Sequence, residues 1–196
     1  MSIQRRRERE RAERERMIIA AARELAEAEG WDAVTTRRLA ELIEYSQPVL
    51  YSHFKGKDAI MAAVAVEGFD ELAAQLREAG AHGGARRSGA DRLAIVCARY
   101  LAFAAERPAL YDAMFSRSVG LPFATAKAPQ PLQDAFGELR EAIRPYAGGD
   151  DLGLLTEVVW SALHGLATLT RGGRLPAEAR QKRLAILVGR MTASPA

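Results

Sequence analysis

The sequence predicts an all-α protein, with a small N-terminal three-helix domain followed by a larger C-terminal helical domain. Ala, Leu, Arg and Glu dominate its 196 residues, and β-branched residues are sparse, a mixture that favours helices over strands. Apolar residues recur at helical spacing, and no strand-like alternation interrupts them. We therefore divide the chain into a charged arm (1–16), a helix-turn-helix domain (17–57) and a C-terminal domain (58–196).

Composition narrows the class of protein. A hydrophobic fraction of 48% is ordinary for a globular protein, and the net charge is +3. Residues 1–60 hold 12 Lys and Arg against 11 Asp and Glu, so any nucleic-acid contact must depend on where the cations lie. The single cysteine, Cys97, excludes a disulfide within the chain and fits a reducing cytoplasm. We expect a cytoplasmic protein with no secretory signal, no membrane-spanning segment and no cofactor.

The charged arm admits two interpretations. Residues 5–16 contain seven arginines and four glutamates, with opposite charges three or four positions apart, as in Glu8 with Arg11 and Glu10 with Arg14. Such pairs each support a solvated helix by roughly 0.2–0.5 kcal/mol. The run is either an exposed helical extension or a basic arm that contacts DNA phosphates or a groove.

Three short helices are predicted within residues 17–54. The first runs from about Met17 to Glu29 and is stopped by Gly30. The second is capped by Thr35 or Thr36. After a break at Glu44 and Tyr45, Ser46 caps a brief helix that runs through Phe54, with Pro48 in its first turn. A braced pair of short helices after a supporting helix is the layout of a helix-turn-helix motif, whose second helix enters the major groove.

Two lysines, Lys55 and Lys57, lie at the C-terminal end of the helix-turn-helix domain. Lys57 stands at the start of the next helix, where the helix dipole disfavours a cation unless an anion binds there as well. A phosphate site at Lys57 and simple solvation of Lys55 and Lys57 are both consistent with this placement.

Residues 30–60 resemble the DNA-binding domain of the tetracycline-repressor (TetR) family. The resemblance covers about the first third of the chain, and it lies in Gly30 with Trp31, Thr35-Thr36, Leu39-Ala40, Ser46, Leu50-Tyr51, His53-Phe54 and Lys57. It implies phosphate contacts from Tyr51, His53 and Lys57, assisted by Thr36, and base contacts from the start of the third helix. The full set of candidate DNA-contacting residues is Thr36, Arg37, Gln47, Pro48, Val49, Tyr51, His53, Lys55 and Lys57.

Two departures from the family pattern stand out. The family usually has glycine in the turn where this chain has Glu44, so a left-handed, strained backbone is expected there. Where the family often has Gly-Thr, this chain has Pro48-Val49. Val49 can meet a thymine methyl group and Gln47 an adenine edge, so the base preference does not transfer from the family.

Further helices are predicted after residue 57. Their approximate ranges are 57–79, 90–106, a short segment from Pro108, 132–146, 151–170 and 177–193, with loops at 80–90 and 116–131.

Soft and aromatic side chains gather in the middle helices and could line a ligand cavity. Plain core packing is the alternative for each residue taken singly, and a histidine there can also be a hydrogen-bonded core residue. The candidate pocket residues are Cys97, Tyr100, Phe103, Tyr111, Met114, Phe115, Phe136, Trp160 and His164. Trp160 with His164-Gly165 also resembles a C-terminal regulatory domain with a Trp-His-Gly signature.

The helix at 151–170 is apolar on most sides, so it must be buried on two faces. Pairing it and the last helix with their copies would give an intermolecular four-helix bundle, whereas a monomeric core is the alternative. The candidate interface residues are Ser161, Ala162, Gly165, Leu184, Leu187, Val188 and Met191.

The resemblance to the TetR family implies a ligand-released repressor that binds an inverted-repeat DNA operator as a homodimer. Its expected partners are duplex DNA, a second copy and a small-molecule effector, and no membrane is expected. An enzyme is one rival, yet the sequence has no metal-ligand spacing, phosphate loop or nucleophile motif. The other rival is a helical adaptor that uses the arginine-rich arm to bind another protein.

Overall fold

A computed structural model describes residues 3–81, 89–115, 120–123, 125 and 127–193, and within them it contains helices and no strands. The predicted all-α class is confirmed. The helices are α1 (Ile3–Glu29), α2 (Thr36–Leu42), α3 (Gln47–His53), α4 (Lys57–Ala81), α5 (Gly89–Glu106), α6 (Pro108–Phe115), α7 (Gln130–Ile143), α8 (Leu152–Arg171) and α9 (Arg180–Thr192).

The largest difference from the predicted boundaries is at the N-terminus, where α1 begins at Ile3 and not near Met17. The arm is therefore a continuation of α1. Ion pairs one turn apart support it, between Arg6 and Glu10 at 2.8 Å and between Arg11 and Glu15 at 3.0 Å. Because the rest of α1 supplies the nucleus, each added residue needs only to propagate the helix.

The other boundaries differ by a few residues. The third helix ends at His53, so Phe54 is its C-cap and is only half-buried. Helix α7 ends at Ile143, earlier than predicted, and a 3-10 turn containing Pro145 follows. Pro145 has no N–H to donate to the carbonyl oxygen of Glu141, so the α-helical hydrogen-bond pattern stops here. Residues 82–88 of the predicted loop 80–90, and residues 116–119, 124 and 126 of the predicted loop 116–131, lie outside the described residues.

Two compact units make up the chain. The first comprises Met1–Gly68 and Arg107–Ala128, and the second comprises Phe69–Glu106 and Pro129–Ala196. The chain thus passes from one unit to the other within α4, and α6 belongs to the same unit as the three N-terminal helices.

In the first unit, α4 and α6 approach closely at Gly68. A Cβ atom on Gly68 would stand 2.7 Å from Met114 Sδ and 2.8 Å from Leu110 Cδ1, and both of these side chains are fully buried. Only glycine fits this crossing without displacing its neighbours.

In the second unit, α5 packs against α7, α8 and α9. Its core is formed by Leu93, Val96, Cys97, Tyr100 and Leu101 of α5, Leu132, Leu139 and Ile143 of α7, and Val159 and Leu163 of α8. By length and composition alone α8 could cross a membrane, with a mean hydropathy of 1.3 over the apolar window. A single helix of this kind is also found at the core or interface of many helical proteins, and Glu157 and His164 lie within this one.

Candidate nucleic-acid interface

The connection between α2 and α3 is a tight, hydrogen-bonded turn. Thr35 Oγ1 caps α2 by accepting a bond from Arg38 N at 3.1 Å. At the other end, Tyr45 N donates to Ala40 O at 2.9 Å, with Glu44 in the left-handed conformation at φ 57°. This pair of features is the Schellman ending of a helix, with glutamate at the position that glycine usually occupies. The sequence-based expectation of left-handed backbone at Glu44 is therefore confirmed.

Helix α3 presents most of its length to solvent. Leu50 is its buried anchor, at 1% exposed, while Gln47, Pro48 and Tyr51 are exposed. Val49 is half-buried. Ser46 occupies the N-cap position, but its side chain makes no capping hydrogen bond. A short helix that is anchored on one side and open on the other meets the geometric requirement for insertion into a major groove.

Tyr51 and Thr36 meet across the motif. The Tyr51 hydroxyl lies 3.4 Å from Thr36 Oγ1, and the Tyr51 side chain is 54% exposed. The start of α2 and the middle of α3 thus bring two hydroxyls to one place. Arg37, beside Thr36, is exposed and forms an ion pair with Glu41 at 3.0 Å. Hydroxyl and guanidinium donors of this kind suit phosphate oxygens.

Lys57 opens α4, and its half-buried ammonium donates to the carbonyl oxygen of Trp31. This bond offsets the unfavourable interaction between a lysine and the positive end of the helix dipole. An ammonium has three N–H donors, so a side chain held by one carbonyl can also donate to a phosphate. Lys55 is exposed, two residues earlier.

His53 has an environment that its sequence position did not reveal. Its side chain is only 5% exposed, and Nδ1 lies 3.3 Å from Glu15 Oε1 on α1. The bond to His53 is the largest cause that lowers the pKa of Glu15, and Arg11 lowers it further. In this structure His53 therefore links the end of α3 to the N-terminal part of α1. Its phosphate contact stays a prediction, and no sequence pattern joins residues 38 positions apart.

Helix α6 is fastened to α1 by a second set of bonds that sequence reasoning missed. The Glu27 carboxylate accepts bonds from Ala109 N at 3.1 Å and Leu110 N at 3.0 Å, and the Trp31 indole donates to Ala109 O at 2.7 Å. Glu27 thus caps the N-terminus of another helix, satisfying donors that lack partners within that helix. Helix α6 and the helix-turn-helix region form one hydrogen-bonded assembly.

The candidate pocket residues are divided between the two units. Tyr111, Met114 and Phe115 belong to the first unit, where the rings of Tyr111 and Phe115 lie 4.7 Å apart. The others, Cys97, Tyr100, Phe103, Phe136, Trp160 and His164, belong to the second.

Within the second unit, Trp160 Nε1 donates to the Tyr100 hydroxyl at 3.0 Å, and the Trp160 ring lies 6.4 Å from that of His164. Burial, and to a lesser extent Arg171, lower the pKa of His164. Burial also raises the pKa of Cys97 to about 12, which keeps the thiol protonated and unreactive. Tyr100, Trp160 and His164 thus lie together, and aromatic rings that carry a few polar groups are common in small-molecule sites.

The candidate dimer residues differ in exposure. Ser161 of α8 is exposed, and Ala162, Gly165, Leu184, Leu187 and Met191 are half-buried. Val188 is buried within the single chain, so it packs inside the protomer. Exposed apolar residues that were not predicted lie on the same two helices: Leu154 (64%), Val158 (65%) and Leu169 (46%) on α8, and Ile186 (64%) on α9.

Family models match both parts of the chain. Residues 18–64 match the model of bacterial regulatory proteins of the tetR family, and residues 93–191 match that of the tetracyclin repressor-like C-terminal domain. The second match alone covers half of the chain. It names no Trp-His-Gly signature, so that detail stays a prediction.

Individual proteins agree with these models. The chain is 33% identical over 103 residues to the HTH-type transcriptional regulator YobS of Bacillus subtilis, covering 50% of this chain and 50% of that protein. It is 48% identical over 50 residues to the class D tetracycline repressor of Escherichia coli, covering 26% and 23%. The chain thus spans half or less of these curated relatives. A solved structure from Rhodococcus sp. RHA1 has the same fold, with a TM-score of 0.72, 23% identity and coverage of 90% and 92%.

Proposed function

Because the chain belongs to the TetR family of bacterial transcriptional regulators, we propose that it is a repressor that binds an inverted-repeat operator as a homodimer and is released by a small ligand. The observation that carries this proposal is the exposed face of α3, held by buried Leu50 and flanked by the hydroxyls of Thr36 and Tyr51 and by Lys57. These side chains supply hydrogen-bond donors suited to a phosphate backbone.

The roles of these residues separate into two kinds. Thr36, Arg37, Tyr51, His53, Lys55 and Lys57 are proposed to contact the sugar-phosphate backbone, which sets affinity and its salt dependence. Gln47, Pro48 and Val49, at the exposed start of α3, are proposed to face the base edges, which set sequence preference.

Replacement of Lys57 by alanine is the sharpest test of the phosphate contacts, with Lys55→Ala as the matched comparison. Wild-type protein would first select its operator from a library of random duplexes. Lys57→Ala should then weaken binding to every sequence and lower the slope of log K against log salt by about 0.9 per lost contact. Lys55→Ala, at a second proposed phosphate contact, should lower the slope by a similar amount but weaken binding less, because its exposed side chain loses more entropy on binding than the prepositioned Lys57. A salt slope unchanged by Lys57→Ala would refute this role.

Substitution of Gln47 tests base reading separately. Gln47→Ala should relax the preference at one or two base pairs of the selected operator, with a loss of about 1–3 kcal/mol of discrimination per base, and leave the salt slope unchanged. Binding that is uniformly weaker, with the same base preference, would assign Gln47 to the backbone contacts.

The second copy is proposed to cover the apolar face of α8. Leu154, Val158, Ser161, Gly165 and Leu169 are spaced three or four residues apart, so they form one stripe along that helix. A stripe with such large exposed side chains is unusual on a monomer and typical of an interface. The small residues at 161 and 165 allow close approach of the copy.

Val158→Lys would place a charge in the proposed interface, with Gln133→Lys as a control that adds the same charge at an exposed position of α7. Sedimentation equilibrium should show a dimer for wild-type protein, and Val158→Lys should dissociate it. A wild-type protein that stays monomeric at micromolar concentration, or that binds anionic vesicles through α8, would refute a second copy as the occupant of this face.

Ligand release is proposed as a shift between two spacings of the recognition helices. Only a spacing of about 34 Å fills successive major grooves, so a ligand that favours another spacing weakens DNA binding by its differential affinity. The cluster of Tyr100, Trp160 and His164 is the proposed binding site for the ligand. Cross-linking the helix-turn-helix regions of the two copies at the DNA-bound spacing should keep a releasing compound from weakening DNA binding. Release that persists in the cross-linked dimer would count against this mechanism.

A further inference from the structure

The N-terminal part of α1, residues 3–16, extends beyond the packed helices. Burial on α1 begins at Ile18, and most residues of the extension are exposed. Packing therefore contributes little to its stability, and its ion pairs and its continuity with α1 hold it helical. Seven arginines against four glutamates leave the run 5–16 with three surplus positive charges. The extension is therefore an exposed helical rod with a surplus of positive charge.

Three of its arginines form a stripe. Arg7, Arg11 and Arg14 are separated by four and three residues, and the same spacing continues into Ile18, Ala22 and Leu25, the buried face of α1. We call Arg7, Arg11 and Arg14 the arginine stripe. It lies on the side of α1 that faces the helix-turn-helix core, while Arg5, Arg9 and Arg16 lie on the opposite side.

The contact between Glu15 and His53 fixes where the stripe begins. Glu15 Oε1 lies 3.3 Å from His53 Nδ1 at the end of α3 and 3.0 Å from Arg11 Nε. Arg14 and Arg11 lie within about one helical turn of Glu15, and therefore near the C-terminal end of α3. From Glu15 to Ile3, the extension runs about 18 Å at 1.5 Å per residue, which matches about five base pairs of duplex at 3.4 Å each.

We infer that the arginine stripe is a second DNA-binding surface, which contacts phosphates of the duplex that flanks the site occupied by α3. The inference rests on the proposed function, because α3 must first place the duplex beside α1. Guanidinium groups bind phosphate through two parallel N–H donors, and the surplus positive charge adds attraction along the rod. The Glu15–His53 contact ties the extension to the end of α3.

The test compares two triple variants with identical changes in charge. Arg7→Gln/Arg11→Gln/Arg14→Gln removes the stripe, and Arg5→Gln/Arg9→Gln/Arg16→Gln removes the opposite face. Glutamine and arginine have similar helix propensities, so circular dichroism should give equal helicity for both variants. The probe is the operator selected by the wild-type protein, in a long form with flanking sequence and a short form trimmed by about five base pairs at each end.

On the long duplex, the stripe variant should lower the slope of log K against log salt by up to about 2.7 per protomer, three contacts at 0.9 each, and the opposite-face variant should lower it much less. On the short duplex the stripe variant and the wild-type protein should bind nearly alike, and a hydroxyl-radical footprint should lose only its flanks in the stripe variant. Equal losses from both faces, or wild-type binding and footprint in the stripe variant, would overturn the inference.

These outcomes are distinct from a failure of the proposed function. If the wild-type protein selects no duplex, the proposed function fails, and the inference about the arginine stripe fails as well. If the wild-type protein selects an operator and Lys57→Ala weakens it while the stripe variant does not, the proposed function stands and only the stripe is refuted.

Discussion

One substitution, at Glu27, can test whether the hydrogen bonds between this carboxylate and the first turn of α6 stabilise the fold. The carboxylate accepts two backbone N–H groups, from Ala109 and Leu110, at 3.1 and 3.0 Å. Both donors are in the first turn of an eight-residue helix, which has few internal hydrogen bonds to hold it. The cap therefore contributes a large share of the stability of α6.

Its magnitude follows from the number and charge of the bonds. A hydrogen bond to a charged group contributes about 1.5–3 kcal/mol, and part of this is recovered when water replaces the carboxylate at a half-buried site. We expect Glu27→Ala to lower the free energy of unfolding by about 2–3 kcal/mol. Glu27→Gln, which keeps one carbonyl acceptor but loses the charge, should cost about 1 kcal/mol. Glu24→Ala, on the exposed face of the same helix, should change it by less than about 0.5 kcal/mol.

Chemical denaturation measures the total effect, and amide hydrogen exchange locates it. Loss of the cap should raise the exchange rates of the α6 amides, with Tyr111 as the reporter because its N–H donates to the Arg107 carbonyl at 2.9 Å. Amides of α3 should be less affected. If Glu27→Ala and Glu24→Ala have the same stability and the same α6 exchange, the carboxylate does not hold α6, and the reasoning is refuted.

Two further predictions concern glycine. Glu44→Gly should raise the free energy of unfolding by about 1 kcal/mol, since it removes a side chain from left-handed backbone, whereas Glu41→Gly inside α2 should lower it by about 1 kcal/mol. Denaturant titration checks both, and a destabilised Glu44→Gly would exclude strain at the turn. Gly68→Ala should lower stability by about 1–2 kcal/mol through overpacking, whereas Gly137→Ala, which meets open space inside α7, should raise it by about 0.5–1 kcal/mol. Equal effects at the two positions would contradict the close crossing of α4 and α6.

Local sequence signals predicted the helix-turn-helix region well because its structure depends on neighbouring residues. Thr35 is the cap of α2, as one of two expected candidates, and the left-handed turn is at Glu44. Both follow from groups within a few positions of each other. The sequence also predicted Pro48 in the first turn of α3, where a missing N–H has no cost.

Contacts between distant residues could not be predicted in the same way. Glu27 and Ala109 are 82 positions apart, and Glu15 and His53 are 38 apart. A glutamate on the partly exposed side of an amphipathic helix has the same local pattern whether it caps a distant helix or contacts water. The extension of α1 was left open for a related reason, since ion pairs at helical spacing support a helix without indicating what it touches.

The same long-range contacts bear on how the proposed interface would work. Each of the three side chains that resemble the phosphate-contacting set has an intramolecular partner: Tyr51 has Thr36, His53 has Glu15 and Lys57 has Trp31. Ordering a flexible side chain on binding costs about 0.5–1.5 kcal/mol, so side chains that are already ordered bind with less loss of entropy. For Lys57 the partner is a carbonyl that leaves the positive charge intact. Its contact with DNA therefore should not require the Trp31 bond to break, and α6, which Trp31 also holds, can stay docked while the duplex is bound.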